Sequence, residues 1–505
     1  MCQSITRPLI ESDWERFDFY AKYMRHLLDT CSNRPGPELD LSVFRTIDLS
    51  RRPLPLLPNL QHLDTFSSHG HPLWNVVPLL GPKLKHFSLY SVGTRESCIF
   101  ERVSILASLK VHSPFLESLE VSGPIQQLSL VLIGTVCSLQ HLHVLKLGAT
   151  SLTSECINHL STLSNLTDLE VTIPEDSIMQ AASASSCATS FTALQAFVIL
   201  TDLWATVDAF FEAYLQPSSL KRVEFQVHEP PTNSHFHQLF TTMRKCCSLG
   251  SLTGIILSHQ VKLAGSIVNN DNLLSKFVLD PNTLHMLFAF ANLEVLRIKT
   301  FTSFAKVDNA LIKDVASAWP GLKSLEIRHS PTSRHTTSVT IHGLLPLASC
   351  SSLEQLSINI DPTIQDASLQ LRQGLTSLCL VDLQLGQPPI SDPYAIASFL
   401  ADVFPLANIN MKSSAGDDEE DDEDEEEHVD ELVEKHWAQV KVLFHQFVKF
   451  RIQEKWSETP DRKKYVRAPL AVVKRCHVHY SCQPNVWPDR CTLKSTARNR
   501  LEQQD

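Results

Sequence analysis

Apolar residues in this chain recur in a six-residue pattern, Leu-x-x-Leu-x-(Leu/Ile/Val). It is complete at Leu116/Leu119/Val121, Leu142/Leu145/Leu147, Leu166/Leu169/Val171, Leu293/Leu296/Ile298, Leu322/Leu325/Ile327, Leu353/Leu356/Ile358 and Leu375/Leu378/Leu380. Variants with Phe or Val in the second apolar place start at Leu84, Leu194, Leu220 and Leu274, and weaker copies start at Leu60 and Leu249. The last four positions of the hexamer alternate, which predicts a short strand in each copy. Leu119 and Val121 then face one side, while Ser118, Glu120 and Ser122 face the other. Between the hexamers, apolar residues three and four apart predict helices over 154–163, 203–215, 233–247, 282–293 and 307–319.

The hexamer starts from Leu60 to Leu375 leave twelve intervals with a mean near 26 residues. That period lies within the range of leucine-rich repeats. One strand and one helix cannot bury their own apolar faces, so the units must stack. The expected fold is α/β: an irregular leucine-rich-repeat solenoid, or horseshoe, with parallel strands on the concave face and helices on the convex face. Asn or Cys usually closes the turn after the strand, but here those places hold Pro124, Thr150, Pro174, Phe301, Ser330 and Asp361. The turns must therefore close in different ways. Helical caps are expected at both ends. Ser12 and Glu15 make a capping box ahead of the stripe Trp14, Phe17, Ala21, Met24 and Leu28. Val429, Leu432, Val433, His436, Val440, Leu443, Phe444 and Phe447 form the other stripe, and Pro460 ends it. The expected organisation is a capping helix and linker over 1–43, the solenoid over 44–410, an acidic disordered loop over 411–428, a capping helix over 429–458 and a basic, disordered tail over 459–505.

Composition agrees with a folded, leucine-rich chain: 71 of 505 residues are leucine and 43% are apolar. Only 15 are glycine, which disfavours glycine-based phosphate loops. The net charge of −11 comes from the unbroken acidic run 417–427; the rest holds 44 acids against 44 Lys and Arg. A globally basic nucleic-acid binder is thereby excluded. No signal pattern and no long apolar run are visible, and the thirteen cysteines are irregularly spaced, so reduced thiols in cytosol or nucleus are expected.

The sequence holds no P-loop, H-E-x-x-H, G-x-S-x-G or C-x-x-C motif, and catalytic, metal and cofactor residues are expected to be none. The pairs His69/His71 and His235/His237 lack neighbouring carboxylate or thiolate ligands, and His477/His479 lies in the Cys/His segment 476–482. Cys476, His477, His479 and Cys482 depart from the usual zinc spacing. From Pro460 onward ten Lys and Arg face four acids, with no aromatic interleaving to suggest nucleic acid.

The segment Arg7-Pro8-Leu9, then Asp13 to Phe17 and Tyr20-Ala21, resembles the linker of fungal F-box/leucine-rich repeat proteins. "LPNLQHL" (57–63), "LGPKLKHFSL" (80–89) and "SPFLESLEV" (113–121) resemble that family's repeats, and "HWAQVKVLFHQFVKFR" (436–451) is similar to its closing helix. The resemblance implies a substrate receptor of an SCF-like ubiquitin ligase. No segment reads like the F-box itself, so the ligase adaptor is expected as a partner only if an F-box lies upstream. An acidic leucine-rich scaffold, or a histone-chaperone-like protein independent of any ligase, is the other reading, carried by the acidic run.

Either way the expected activity is protein binding on the concave face, through the third, fifth and seventh positions of each hexamer. In chain order these include Glu120, Asp168 and Glu170, then Ala196, Val198 and Leu200, then Arg222 and Glu224, and finally Arg297, Lys299 and Arg328. The face is expected to pass from acidic through apolar to basic. A loop over 175–190 is the alternative cover for the apolar part.

Overall fold

The computed structural model describes residues 7, 9–28, 55–67, 76–91, 97–123, 129–174, 191–215, 219–259, 275–300, 302–328, 337–362, 376–386, 388–410 and 431–458. The chain divides into two compact units, 1–444 and 445–505. In the second, the described residues 445–458 are helical.

Among the described residues of the first unit, fourteen strands form one parallel sheet in sequence order. They are β1 His26–Leu28, β2 His62–Ser67, β3 His86–Ser91, β4 Ser118–Ser122, β5 Val144–Ser151, β6 Asp168–Thr172 and β7 Ala196–Thr201. The second half comprises β8 Arg222–Val227, β9 Gly254–His259, β10 Val295–Lys299, β11 Ser324–Ile327, β12 Gln355–Ile358, β13 Asp382–Leu385 and β14 Asn408–Asn410. The chain is thus an α/β leucine-rich-repeat-like solenoid.

Many of the hexamers are entered through a turn. The amide of the first leucine donates to the carbonyl three residues earlier, as from Leu84 to Gly81, Leu116 to Ser113, Leu166 to Leu163, Leu322 to Trp319 and Leu353 to Cys350. The turn delivers the three apolar side chains of the hexamer into the core. Leu142, Leu145 and Leu147 are all 0% exposed, stacked between their counterparts in neighbouring repeats. At about 25 cal/mol per Å² of apolar surface, this continuous leucine stack is the main stabilising term.

Ahead of the strands, the backbone joins the repeats directly. The carbonyl just before each strand, from Arg25 to Glu354, accepts two successive amides of the next repeat. Lys85 and His86 both donate to Gln61 at 2.9 Å, and Lys221 and Arg222 donate to Gln195 at 2.7 and 3.0 Å. The fork needs no particular side chain, so the sequence can vary there while the stack stays in register.

Helices fill the other side of the sheet. Side-chain oxygens of Thr153, Asp308 and Asp392 cap Ser154–Ser161, Asn309–Ala318 and Pro393–Val403. Helices are about 10 Å wide and strands about 4.8 Å apart, so the helical side lies on the outer, convex radius and the sheet on the inner one.

Several expectations are corrected. The last full hexamer is Leu380/Leu383/Leu385, five residues beyond Leu375/Leu378/Leu380; Leu378 is 65% exposed, whereas Leu380 and Leu383 are buried. The weak copy starts at Leu252, not Leu249, because Ile255 and Leu257 enter β9. Leu274 lies outside the described residues, and Phe277 ends a 3-10 turn rather than lying in a strand. The helix expected over 282–293 is a short α-helix, Pro281–His285, followed by 3-10 turn Met286–Ala289. The first helix is Glu11–Ala21, preceded by Ile10, whose amide donates to Asp13 at 2.9 Å, so Ser12 and Glu15 do not form its cap. Trp14 and Ala21 are buried, but Met24 and Leu28 leave the helix, and Leu28 belongs to β1. The closing helix Glu431–Glu458 buries Trp437, Val440 and Phe444, and the Trp437 indole donates to the Pro388 carbonyl at 3.0 Å. The acidic run, the loop 175–190 and the tail after 458 lie outside the described residues.

Candidate protein-binding face

In-register pairing turns the hexamer positions into rows that cross the sheet. The fifth-position row reads Leu28, Asp64, Ser88, Glu120, Lys146, Glu170, Val198, Glu224, Ile256, Arg297, Glu326, Ser357, Gln384, Asn410. The third-position row carries His26, His62 and His86 at one end and Asp168, Ala196, Arg222 and Gly254 in the middle. Strand alternation puts both rows on the face opposite the helices, because positions four and six are the buried ones.

Every residue expected on this face from sequence lies on it or at its rim. Glu120, Asp168, Glu170, Ala196, Val198, Leu200, Arg222, Glu224 and Arg297 are half-buried at outward positions. Lys299 is exposed, and Arg328 follows directly after β11. They are brought together as one strip, with neighbouring members a strand spacing apart, about 4.8 Å. Sequence reasoning passed over Asp64, Lys146, Ile256 and Glu326, which occupy the fifth-position row, and Tyr90, a seventh-position residue beside it. Alternation within the hexamers gives the positions of all but Ile256, which the frame starting at Leu249 misplaces.

The charges are largely engaged. Lys146 Nζ lies 3.0 Å from Glu120, which also accepts from the Tyr90 hydroxyl at 2.6 Å. Arg222 and Gln226 both donate to Glu224 at 3.0 Å. The Arg222 stem lies across Gly254, where an added Cβ would sit 3.4 Å from its Cγ. Glu326, with a side chain 13% exposed, lies 3.3 Å from Lys299 and 3.8 Å from Arg328. Arg297 donates to Ser324 at 3.0 Å and also to Gln355. Glu170 differs: among the described residues, no hydrogen bond or close ion pair reaches its carboxylate. Burial raises its pKa above the ordinary carboxylate value, and the field of Lys146 only partly opposes that.

At the N-terminal end the third-position row becomes a stack of imidazoles. His26 and His62 lie 4.2 Å apart at 14° between planes, and His62 and His86 lie 4.1 Å apart at 5°. Burial lowers the pKa of His62, and the fields of His86 and His26 add to it; burial likewise lowers that of His86, aided by Lys85. Asp64 and Glu117 act in the opposite sense on both, and Glu120 does so on His86. The fold therefore prefers neutral rings, and below the ordinary value of 6.5 the unfolded chain takes up protons that the fold resists. The stabilisation is complete above that pH and is lost as acid carries the solution down through the lowered folded-state values. Hydrogen exchange should show protection of β1–β3 falling between about pH 7 and 5, with β10–β13 little changed, and His62→Asn should flatten the dependence.

The remaining candidates carry no cluster. His235 sits in the helix Asn233–Cys246, where its Nδ1 accepts from the Thr232 amide at 3.3 Å, and His237 on the same helix does not share its face. His69, His71, His477, His479, Cys476 and Cys482 lie outside the described residues. Among the described residues no three His, Cys, Asp or Glu side chains are placed to hold a metal ion. No helix among them is long and apolar enough to cross a membrane.

No protein-family model matches the chain, and no curated protein is similar to it in sequence. Among solved structures, a chain of the yeast Rad7 and Elc1 complex is similar at 14% identity and a TM-score of 0.37, over 66% of this chain and 80% of that one. TLR13 in complex with ssRNA13 is similar at 15% identity and a TM-score of 0.33, over 70% of this chain and 52% of that one. The leucine-rich repeat protein LegL7 from Legionella pneumophila is similar at 13% identity and a TM-score of 0.25, over 75% of this chain and 98% of that one. Scores this low carry no conclusion about this chain.

Proposed function

We propose that the protein is a non-catalytic docking protein that holds a protein partner on its sheet face. The observation that carries this is the row from Asp64 to Asn410, a continuous in-register strip of side chains on the sheet face opposite the helices. A solenoid presents such a surface on one rigid body, so a partner's contacts are in place before it arrives. The role we propose is substrate recognition for an F-box-type ubiquitin ligase, in cytosol or nucleus; the phrases at 57–63, 80–89 and 113–121 that resemble that family support it. Holding a target near a ubiquitin-charged enzyme raises its effective concentration, and no residue here need do covalent chemistry.

The acidic run 417–427 favours a second reading, an acidic scaffold that holds basic proteins such as histones without any ligase. Affinity purification separates the two. Ligase adaptor and cullin retained at high salt support the receptor; histones lost at high salt, with no cullin, support the scaffold. The basic end of the face should set the rate of encounter. Reversing Arg297 and Lys299 together to Glu is expected to slow partner association about tenfold at low salt, with the difference vanishing at high salt. Unchanged low-salt rates in stopped-flow measurements would place docking elsewhere.

A further inference from the structure

Resting on the sheet face as the docking surface, we infer that it recognises an extended protein segment whose side chains run basic, apolar, acidic, with the two charges about six residues apart. Three features fix that order. On β2 to β6 the outward positions carry four carboxylates, Asp64, Glu120, Asp168 and Glu170, against one ammonium, Lys146. On β7 they carry no charge, only Ala196, Val198 and Leu200. From β8 to Arg328 they carry four cations, Arg222, Arg297, Lys299 and Arg328, against two carboxylates, Glu224 and Glu326.

Pairing within the face leaves an imbalance at each end. Lys146 is engaged by Glu120, so Glu170 keeps a half-buried carboxylate with no hydrogen bond or close ion pair among the described residues, beside the apolar Val198. A lysine or arginine of the partner is the missing charge, and desolvating it there would strengthen the pair relative to an exposed one. At the other end Lys299 and Arg328 share the single carboxylate of Glu326, which leaves a cation for a partner's Asp or Glu. Between them Val198 and the buried Ile256 flank Glu224, so the partner's middle must be apolar.

The span sets the spacing. Glu170 on β6 and Lys299 on β10 are four strand steps apart, or roughly 19 Å across the sheet at about 4.8 Å per step. An extended segment advances about 3.3 Å per residue, which puts basic and acidic side chains about six residues apart; a helix at about 1.5 Å per residue would need about thirteen.

The test is selection from a random dodecapeptide display library on the full chain, followed by titration of the enriched peptides. Enriched sequences should hold, in either chain direction, an apolar residue between a Lys or Arg and an Asp or Glu five to seven residues away. Glu170→Gln should weaken such a peptide at least tenfold and leave a peptide with its basic residue neutralised unaffected. Because this change removes a half-buried, unpaired charge, its melting temperature should stay level or rise, so lost binding cannot be put down to unfolding. Peptides that fail on Val198→Asp protein yet lack the charge order, or carry it at helical spacing, would overturn this inference and leave the docking face standing. Peptides that bind Val198→Asp protein as well as the native chain would overturn both.

Discussion

Trp204→Ala is expected to destabilise the first unit by about 3–5 kcal/mol, the range for emptying a large aromatic site. Trp204 begins the helix Trp204–Tyr214 and is 1% exposed. Its indole donates to the Glu229 carbonyl at 2.9 Å, its backbone amide donates to the Glu229 carboxylate at 3.1 Å, and its ring lies 5.8 Å from that of Phe236 in the next helix. Truncation therefore opens a cavity and orphans a carbonyl at the junction of two repeats. Each repeat touches only its neighbours, so the loss should be local. Hydrogen exchange should show lost protection over 196–246, with native protection kept over 97–122 and 393–410. Uniform loss across the sheet would show that the repeats fold as one unit.

Val198→Asp is expected to abolish partner binding, more than a hundredfold in Kd, while the chain stays folded. The register places residue 198 between Glu170 and Glu224, so the new carboxylate stands between two others at the centre of the apolar strip. Like charges directly opposite cost about 1 kcal/mol at most in a sheet, and Val198 is only half-buried, so the melting temperature should fall by a few degrees. For a partner the same carboxylate must be desolvated without a counterion, which costs several kcal/mol. Val198→Thr keeps the shape without the charge and should bind within a few-fold of the native chain. Calorimetric titration beside circular dichroism melts separates lost affinity from lost fold.

How much of the fold and face was legible in sequence differs by element. The hexamer marks β4 to β6 and β10 to β12 correctly, because three buried places at fixed spacing leave one strand register. It slips where leucines are too frequent. Leu375, Leu378, Leu380, Leu383 and Leu385 satisfy two overlapping frames that share Leu380, and only the pairing of Asp382 with Gln355 decides between them. The sheet's ends, β1 and β14, are three residues long and lack a full hexamer, so only a neighbouring strand defines them. The outward positions of the face are set by alternation alone. Their pairing is not: that Lys146 belongs to Glu120 and that Glu170 is left over depends on rotamers, and the imidazole stack joins residues 36 and 24 apart in sequence.

A photoreactive amino acid placed at one of two positions tests the docking face most directly. Position 198 lies at the centre of the outward sheet face; Leu130, 82% exposed, lies on the helix Ser129–Val136 on the opposite side. With an enriched peptide or a purified partner added to the full chain, position 198 should form the cross-link and position 130 should form none. Cross-links from position 130 with none from 198 would show that the convex helices carry the interaction, and that the charge-ordered sheet face does not.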